Sequence, residues 1–387
     1  MTVWLRLAVT LLLAAASLVG CQDRDRPGPA DGTDRFVFQT DRELVVVDGV
    51  TVVARLQRES TGTGADRIPL TKDGRFLYAA GTSSISVLDT RSLHHREIPC
   101  TAPCAPVALG ASLIGWFAAD PDGGQAERAE VRAIDLAAPE PTLRTLGWIQ
   151  LPQPPPAEPR ATPYSYFLDA APGEYLFFGL DPEIPVDGQP WAHPQTLFRA
   201  RLDGTTTGLG RYGGFDRAID VWAVLNPDGD RVVLNGVAPA GQPGGCAAAP
   251  GYAPVDLIDL PSAQTTRIHP PAPDPRDHLR ATRAWWGNNG TAYVAYTPTR
   301  CGTDHGDDGP PPSVWAYQDG SWSQLDTGGP AILALPLAGG RLAVVAPDGR
   351  PGEVPHGTLV FIDAEGHRTH IADAVTAIAP LPPRTAG

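Results

Sequence analysis

Seven times along this 387-residue chain a short run of strand-forming residues ends in aspartate: Leu44–Asp48, Ile85–Asp89, Val131–Asp135, Phe198–Asp203, Val255–Asp259, Val314–Asp319 and Leu359–Asp363. The copies are 41 to 68 residues apart, close to or longer than the period of a four-stranded repeat unit. A unit of that size cannot bury its own apolar faces, so a chain built this way must stack its units side by side. Each copy is followed by another short strand, such as Thr51–Arg55 or Arg368–Ile371. Aspartate suits the turn between them because its carboxylate bonds backbone amides two residues on. These seven carboxylates are therefore read as turn formers; spread around a ring, they do not converge on one reaction centre.

A second recurring element precedes most copies. Lys72-Asp73-Gly74-Arg75-Phe76-Leu77-Tyr78 and Asn226-Pro227-Asp228-Gly229-Asp230-Arg231-Val232-Val233 are the clearest. Ala171–Leu176, Asn288–Tyr293 and Ala338–Ala343 are weaker versions. Asn-Gly or Asp-Gly between alternating apolar residues is the strongest short hairpin signal. The pattern resembles the Pro-Asp-Gly-Arg hairpins of TolB-like and related WD40-like β-propeller repeats. It lacks the Gly-His and Trp-Asp signatures of true WD40 blades, so the resemblance implies the architecture and not that family's partners.

In order, each unit reads strand a, Gly turn, strand b, variable loop, strand c, Asp turn, strand d. The first unit has only b (Arg35–Phe38), c (Leu44–Val47) and d (Val50–Leu56), and its missing strand a is supplied from the other end by Ala374–Leu381. A C-terminal strand that completes the first blade closes a ring without leaving a free edge. The expectation is an all-β chain: a seven-bladed β-propeller of four-stranded antiparallel blades over residues 35–382, followed by a tail at 383–387. An open sandwich or barrel accounts for the repeats less well.

Ahead of the repeats lies a short apolar run from Leu7 to Leu18, preceded by Arg6 and ended by Val19-Gly20-Cys21. Charged, apolar and small-residue regions in that order make a secretory signal. The run falls short of the about 20 apolar residues a membrane-spanning helix needs. The Leu18-Val19-Gly20-Cys21 stretch resembles the lipobox of bacterial lipoproteins, which implies that residues 1–20 are removed and that Cys21 is acylated and becomes the first mature residue. Several acyl chains, each methylene contributing about 0.8 kcal/mol, hold a protein stably on a membrane. Gln22 rather than Asp after the cysteine implies, by the same resemblance, the outer membrane of a cell that has one. Residues 21–34 carry no apolar pattern and read as the lipidated Cys and a flexible tether, at most about 45 Å long.

The chain has 43 acidic and 30 basic side chains, for a net charge of −13; loss of Arg6 with the signal takes it to −14. That acidity and the lack of a Lys/Arg cluster exclude nucleic acid as a partner. Gly and Pro number 42 each, and their places between β-branched and aromatic runs assign them to turns. Besides Cys21 there are Cys100, Cys104, Cys246 and Cys301, an even count that in an exported chain suggests disulfides. A local Cys100–Cys104 bridge leaves Cys246 to Cys301; a zinc site is the competing reading, but the Cys-x-x-Cys knuckles of zinc sites are missing.

The b–c loops hold nearly all the extra length: 120–128, 181–195, 238–254, 297–312 and 346–357. They emerge on one face of a rigid scaffold, the usual place for function. Cys246 and Cys301 fall in the loops of adjacent units, where a bridge would pin two of them together. Asp304, His305, Asp307 and Asp308 form a carboxylate–imidazole patch able to ligate Ca²⁺ or another divalent metal, against the plainer reading of a solvated loop tip. Trp191 and His193 offer an aromatic contact for a peptide or sugar, or pack their own loop against the blade. His356 lies in the last loop, and Arg283 on strand a of the sixth unit is a candidate channel-lining anion contact. Trp285 and Trp286 beside it are expected to point one to the core and one to the channel. His94, His95, His367 and His370 are expected on outer strands, at the surface. Pro152–Pro159 reads as a stiff connector between units, against the alternative of a polyproline helix that docks in a partner's groove.

No Gly-x-Ser-x-Gly elbow, His-Glu-x-x-His motif or phosphate loop occurs in the chain. The resulting expectation is a monomeric, membrane-anchored cell-envelope lipoprotein acting as a non-catalytic interaction scaffold, which binds a protein or envelope polymer through its loop face and needs no cofactor. The alternative is a propeller hydrolase or lyase, metal-assisted through the Asp304–Asp308 patch, acting on an envelope or extracellular substrate.

Overall fold

The computed structural model describes residues 34–58, 67–100, 104–119, 128–151, 166–180, 195–212, 222–235, 255–268, 277–287, 290–300, 311–348 and 356–382. They form seven antiparallel sheets arranged as the blades of a β-propeller. From strand a at the centre to strand d at the rim, blade 1 is Ala377–Pro380, Arg35–Gln39, Glu43–Asp48 and Thr51–Gln57. Blade 2 is a one-bridge inner segment at Leu70, then Phe76–Ala80, Ser84–Asp89 and His95–Pro99. Blade 3 is Val107–Ala108, Leu113–Ala119, Arg128–Asp135 and Leu143–Gln150, and blade 4 is Tyr166–Ala171, Glu174–Leu180, Gln195–Arg201 and Thr206–Tyr212. Blade 5 is Trp222–Leu225, Arg231–Asn235, Val255–Asp259 and Gln264–Ile268. Blade 6 is Asp277–Trp286, Ala292–Arg300, Ser313–Gln318 and Ser321–Gln324, and blade 7 is Leu333–Pro336, Leu342–Pro347, Gly357–Ile362 and Arg368–Val375.

The apolar runs that mark the repeats are continuous rather than alternating because each blade is covered on both faces. Successive residues of a strand point to opposite faces. Phe36, Phe38, Val45 and Val47 therefore pack with Leu335, Val345 and Phe361 of blade 7, while Val37, Leu44 and Val46 pack with Leu77 and Leu88 of blade 2. The same alternation joins blades 2 and 3, 3 and 4, 4 and 5, 5 and 6, and 6 and 7. Apolar contact thus runs around the ring without a break.

The C-terminal strand closes that ring. Val37 lies opposite Ala379, and Phe38 opposite Ile378. The strand expected over Ala374–Leu381 is divided: strand d of blade 7 runs to Val375, with Ala374 at a φ of 55°, and the chain turns at Thr376 before the closing Ala377–Pro380. At the turn, the Thr376 amide donates to the Gln39 carbonyl at 2.9 Å. At the far end, the Leu381 amide donates to the Arg35 carbonyl at 3.0 Å, and buried Arg35 donates Nη1 to the Pro382 carbonyl at 3.2 Å. Gly74, at a φ of 68°, lets Pro382 approach: a Cβ there would lie 2.7 Å from the proline Cδ.

Five of the seven c–d turns use their aspartates as expected. Asp89, Asp135, Asp203 and Asp363 each accept, through Oδ1, the amide two residues on, at 2.8 to 3.0 Å. Asp259 accepts the Ser262 amide at 2.9 Å. The Thr205 hydroxyl and amide hold the Asp203 carboxyl below the ordinary carboxylate range, and the Ser262 hydroxyl and amide do the same for Asp259. Desolvation pulls Asp89 and Asp363 upward, but amide bonds from Ser92 and Arg91, and from His367, outweigh it and both end low.

Two predictions follow from the packing and the turns. Phe36→Ala removes a fully buried ring from the blade 1–blade 7 interface and should cost about 3–5 kcal/mol. Val50→Ala, in an exposed turn, should leave the melting temperature within error in the same calorimetric scan. The turn carboxylates have folded pKa values below their unfolded ones, so their stabilisation is complete above the ordinary carboxylate range and is lost as pH falls through the folded values. Melting temperature should therefore fall as pH is lowered below the ordinary carboxylate range. Asp203→Asn, which keeps an acceptor but not the charge, should shallow that slope.

Candidate functional site

Strands a and c descend from the loop face and strands b and d return to it. The b–c loops and the d–a connections between blades consequently share one face, and the short a–b and c–d turns share the other. The two ends of the central channel open onto these faces, which makes the loop face and the channel the places to look for function.

The channel is braced by cations from blade 2. Arg67, at the head of that blade's inner segment, donates Nη1 to the Leu168 carbonyl on strand a of blade 4 and Nη2 to the Ala223 carbonyl on strand a of blade 5, the latter at 2.9 Å. Near the other end, Lys72 pairs with Asp169 of blade 4. Asp169 is buried, turned inward at a bulge between Phe167 and Asp169, and accepts the Leu225 amide of blade 5 at 2.9 Å. Burial first, and the Asp169 carboxylate second, push the neighbouring Tyr78 phenol well above its ordinary pKa. These spokes pass blade 3, whose inner strand is only two residues long.

Arg283 lies on strand a of blade 6 as expected, buried, with Nη1 donating to the Thr376 carbonyl at the closure turn. The two tryptophans beside it do not divide between core and channel. Trp286 packs toward blade 5, with Nε1 donating to the Val224 carbonyl at 2.8 Å and the Arg231 guanidinium 5.2 Å from its ring centroid. Trp285 stacks on Tyr293 at 5.9 Å and packs toward blade 7. Alternation along a blade strand selects between the two neighbouring blades; the edge of strand a, not one of its faces, looks into the channel.

On the loop face, His356 and Asp348 bracket the b–c connection of blade 7, with Nδ1 and Oδ2 2.7 Å apart. Gly357 follows directly, and a Cβ there would lie 1.9 Å from the Ala346 carbonyl oxygen, so only glycine fits. A cleft of about 550 Å³ that the repeat pattern does not announce lies between blades 6 and 7. It is lined by Pro311, Pro312 and Trp315 at the start of strand c of blade 6, and by Gln324, Asp326 and Pro330 leading into blade 7. Trp315 Nε1 donates to Ser313 Oγ at 3.0 Å, and Arg368 holds the opposite wall by donating to the Thr327 and Gly328 carbonyls at 3.1 and 3.0 Å. The sequence signal of the cleft is Pro310-Pro311-Pro312 before the strand and Gly328-Gly329-Pro330 after it, with Trp315 also filling a place in the repeat.

The Cys100–Cys104 disulfide is present, with Cα atoms 5.8 Å apart, where blade 2 leads into blade 3. Cys21, Trp191, His193, Cys246, Cys301, Asp304, His305, Asp307 and Asp308 lie outside the described residues. Among the described residues, Asp363, Glu365 and His367 bring possible metal-ligand atoms within 4.8 Å of one another in the c–d turn of blade 7. Asp363 there already accepts the Glu365 and His367 amides at 3.0 and 2.8 Å and faces His367 Nδ1 at 2.9 Å, which accounts for the cluster as a turn. His95, His367 and His370 are on the surface, as expected.

No family model matches the chain, and no curated protein does. Among solved structures, the β-propeller domain of the Trilobed protease from Pyrococcus furiosus is similar at 12% identity over 86% of this chain and 87% of that one, with a TM-score of 0.47. A putative TolB from Agrobacterium tumefaciens is similar at 12% identity over 75% of this chain and 87% of that one, with a TM-score of 0.38. Pyrococcus horikoshii acylaminoacyl peptidase is similar at 14% identity over 86% of this chain, with a TM-score of 0.49; the chain spans 48% of that protein's length. Each is a likeness of fold, and the seven-bladed ring rests on the sheet topology described above.

Proposed function

We propose that the protein is a lipid-anchored component of the cell envelope whose propeller is a non-catalytic docking scaffold, gripping a protein or an envelope polymer through its loop face. The observation that carries the reading is the division of the ring into two unlike faces. One face is made of short turns, four of them locked by an aspartate carboxylate on the amide two residues on. The other gathers the long b–c connections, the His356–Asp348 pair and the Trp315 cleft. A rigid ring loses little conformational entropy on binding, and the connections between the strands of such a scaffold are the usual place for recognition. The Leu18–Cys21 lipobox supplies the location, and Gln22 favours the outer membrane of a cell that has one. A Cys246–Cys301 bridge would pin the connections of blades 5 and 6 together and strengthen the same surface.

In-cell cross-linking followed by capture and mass spectrometry tests this reading. The intact protein should yield a reproducible envelope partner, lost from a variant with the 181–195 and 297–312 connections shortened but equally stable and equally membrane-bound. A partner retained by that variant would place docking elsewhere. Purified protein carrying stoichiometric divalent metal, lost in Asp304→Ala/His305→Ala and accompanied by hydrolysis of an envelope polymer, would replace the scaffold by the hydrolase reading.

A further inference from the structure

The position of the anchor relative to the two faces has a directional consequence. The described chain begins at Asp34, and among the described residues that end is held by the short turns. The Gly49 amide in the c–d turn of blade 1 donates to the Asp34 carbonyl at 3.0 Å, and Arg341, at the a–b turn of blade 7, pairs with the Asp34 carboxylate at 2.5 Å. Arg35 lies opposite Asp48 at the end of strand c and donates to the Thr90 carbonyl in the c–d turn of blade 2. The chain leading to Cys21 therefore leaves from the turn face, opposite the long connections.

We infer that the turn face is held toward the anchoring bilayer and that the loop face looks away from it, so the docking partner is a macromolecule on the far side of the domain rather than a lipid or a protein embedded in the anchoring membrane. This rests on the lipid anchor and the loop-face docking of the preceding reading. Thirteen residue steps from Cys21 to Asp34 span at most about 45 Å. For the loop face to lie on the bilayer, that segment would have to climb the blade wall, about 26 Å for an eight-residue strand such as Arg128–Asp135. It would also have to pass outward across strands c and d, about 10 Å more before side chains are counted. Only a segment pulled nearly straight covers that path, whereas the opposite orientation needs none of it.

Energy transfer from single dyes to headgroup-labelled lipid tests the orientation, using the acylated full-length protein in phosphatidylcholine vesicles. One dye is attached at Ala137→Cys, exposed in the c–d turn of blade 3, and the other at Asp41→Cys, exposed in the b–c turn of blade 1. Transfer should be several-fold stronger from position 137 than from position 41. Inserting about 20 Gly/Ser residues after Pro29, roughly 70 Å of added reach, should bring the two signals together. Equal transfer with the native tether, or stronger transfer from position 41, overturns the orientation while leaving the anchor intact. Failure of the Cys21 protein to float with vesicles, in the same way as Cys21→Ser, overturns the anchor and the orientation with it.

Discussion

The structure depends on one constraint: a four-stranded sheet with two apolar faces has no stable existence until both are covered. Each blade here meets the constraint by lending one face to each neighbour. Val46 and Val47 are adjacent in sequence yet belong to different inter-blade cores. Tyr293 and Val294 divide in the same way between blades 7 and 5. Because every blade is a wall of two cores, the ring is the smallest unit that satisfies all of them, and the closing strand is a necessity of the packing rather than an ornament. Arg35 shows how closely the parts are tied. A single buried guanidinium touches the closing segment at Pro382 and the next blade at Thr90.

The channel answers a second, weaker constraint. Blades 2 and 3 contribute stunted inner strands, one a single bridge and the other two residues. A ring with so little backbone on that side would leave its inner wall thin. Arg67 and the Lys72–Asp169 pair reach past the gap to blades 4 and 5, and Asp169 also receives a backbone amide from blade 5. A buried carboxylate with both a cation and amides around it is satisfied, which is the condition under which a buried charge can be kept. Arg67, Lys72 and Asp169 thus belong to the frame of the propeller, joining blade 2 to blades 4 and 5.

Much of this was legible beforehand because it is local. The Asp turns carry their own chemistry within three residues, and the Gly hairpins carry theirs within four, so the repeat, its strand order and the borrowed strand of blade 1 could all be read from the chain. The short disulfide was readable for the same reason. What escaped depends on residues far apart. The short inner strands of blades 2 and 3 are the exception, because Pro69 and Pro106 within those segments are a local signal against a full strand. Arg67 reaches 101 residues along the chain to Leu168, a contact without a sequence signature. Alternation at Trp285–Trp286 does not separate core from channel, because in a radial blade it separates one neighbour from the other. The Trp315 cleft was hidden because the residue that marks it also fills a place in the repeat.

The closing strand also imposes an order in time. Residue 37 meets residue 379, so the pairing that finishes blade 1 waits for the last part of the chain to be made. Until then the first blade emerges with the inner edge of Arg35–Gln39 unpaired and its blade 7 face bare, a state open to mispairing with any other strand. A chain released early would carry that defect permanently, however sound its other blades. The inner edge of Arg35–Gln39 is therefore covered only in a chain that extends as far as residue 380.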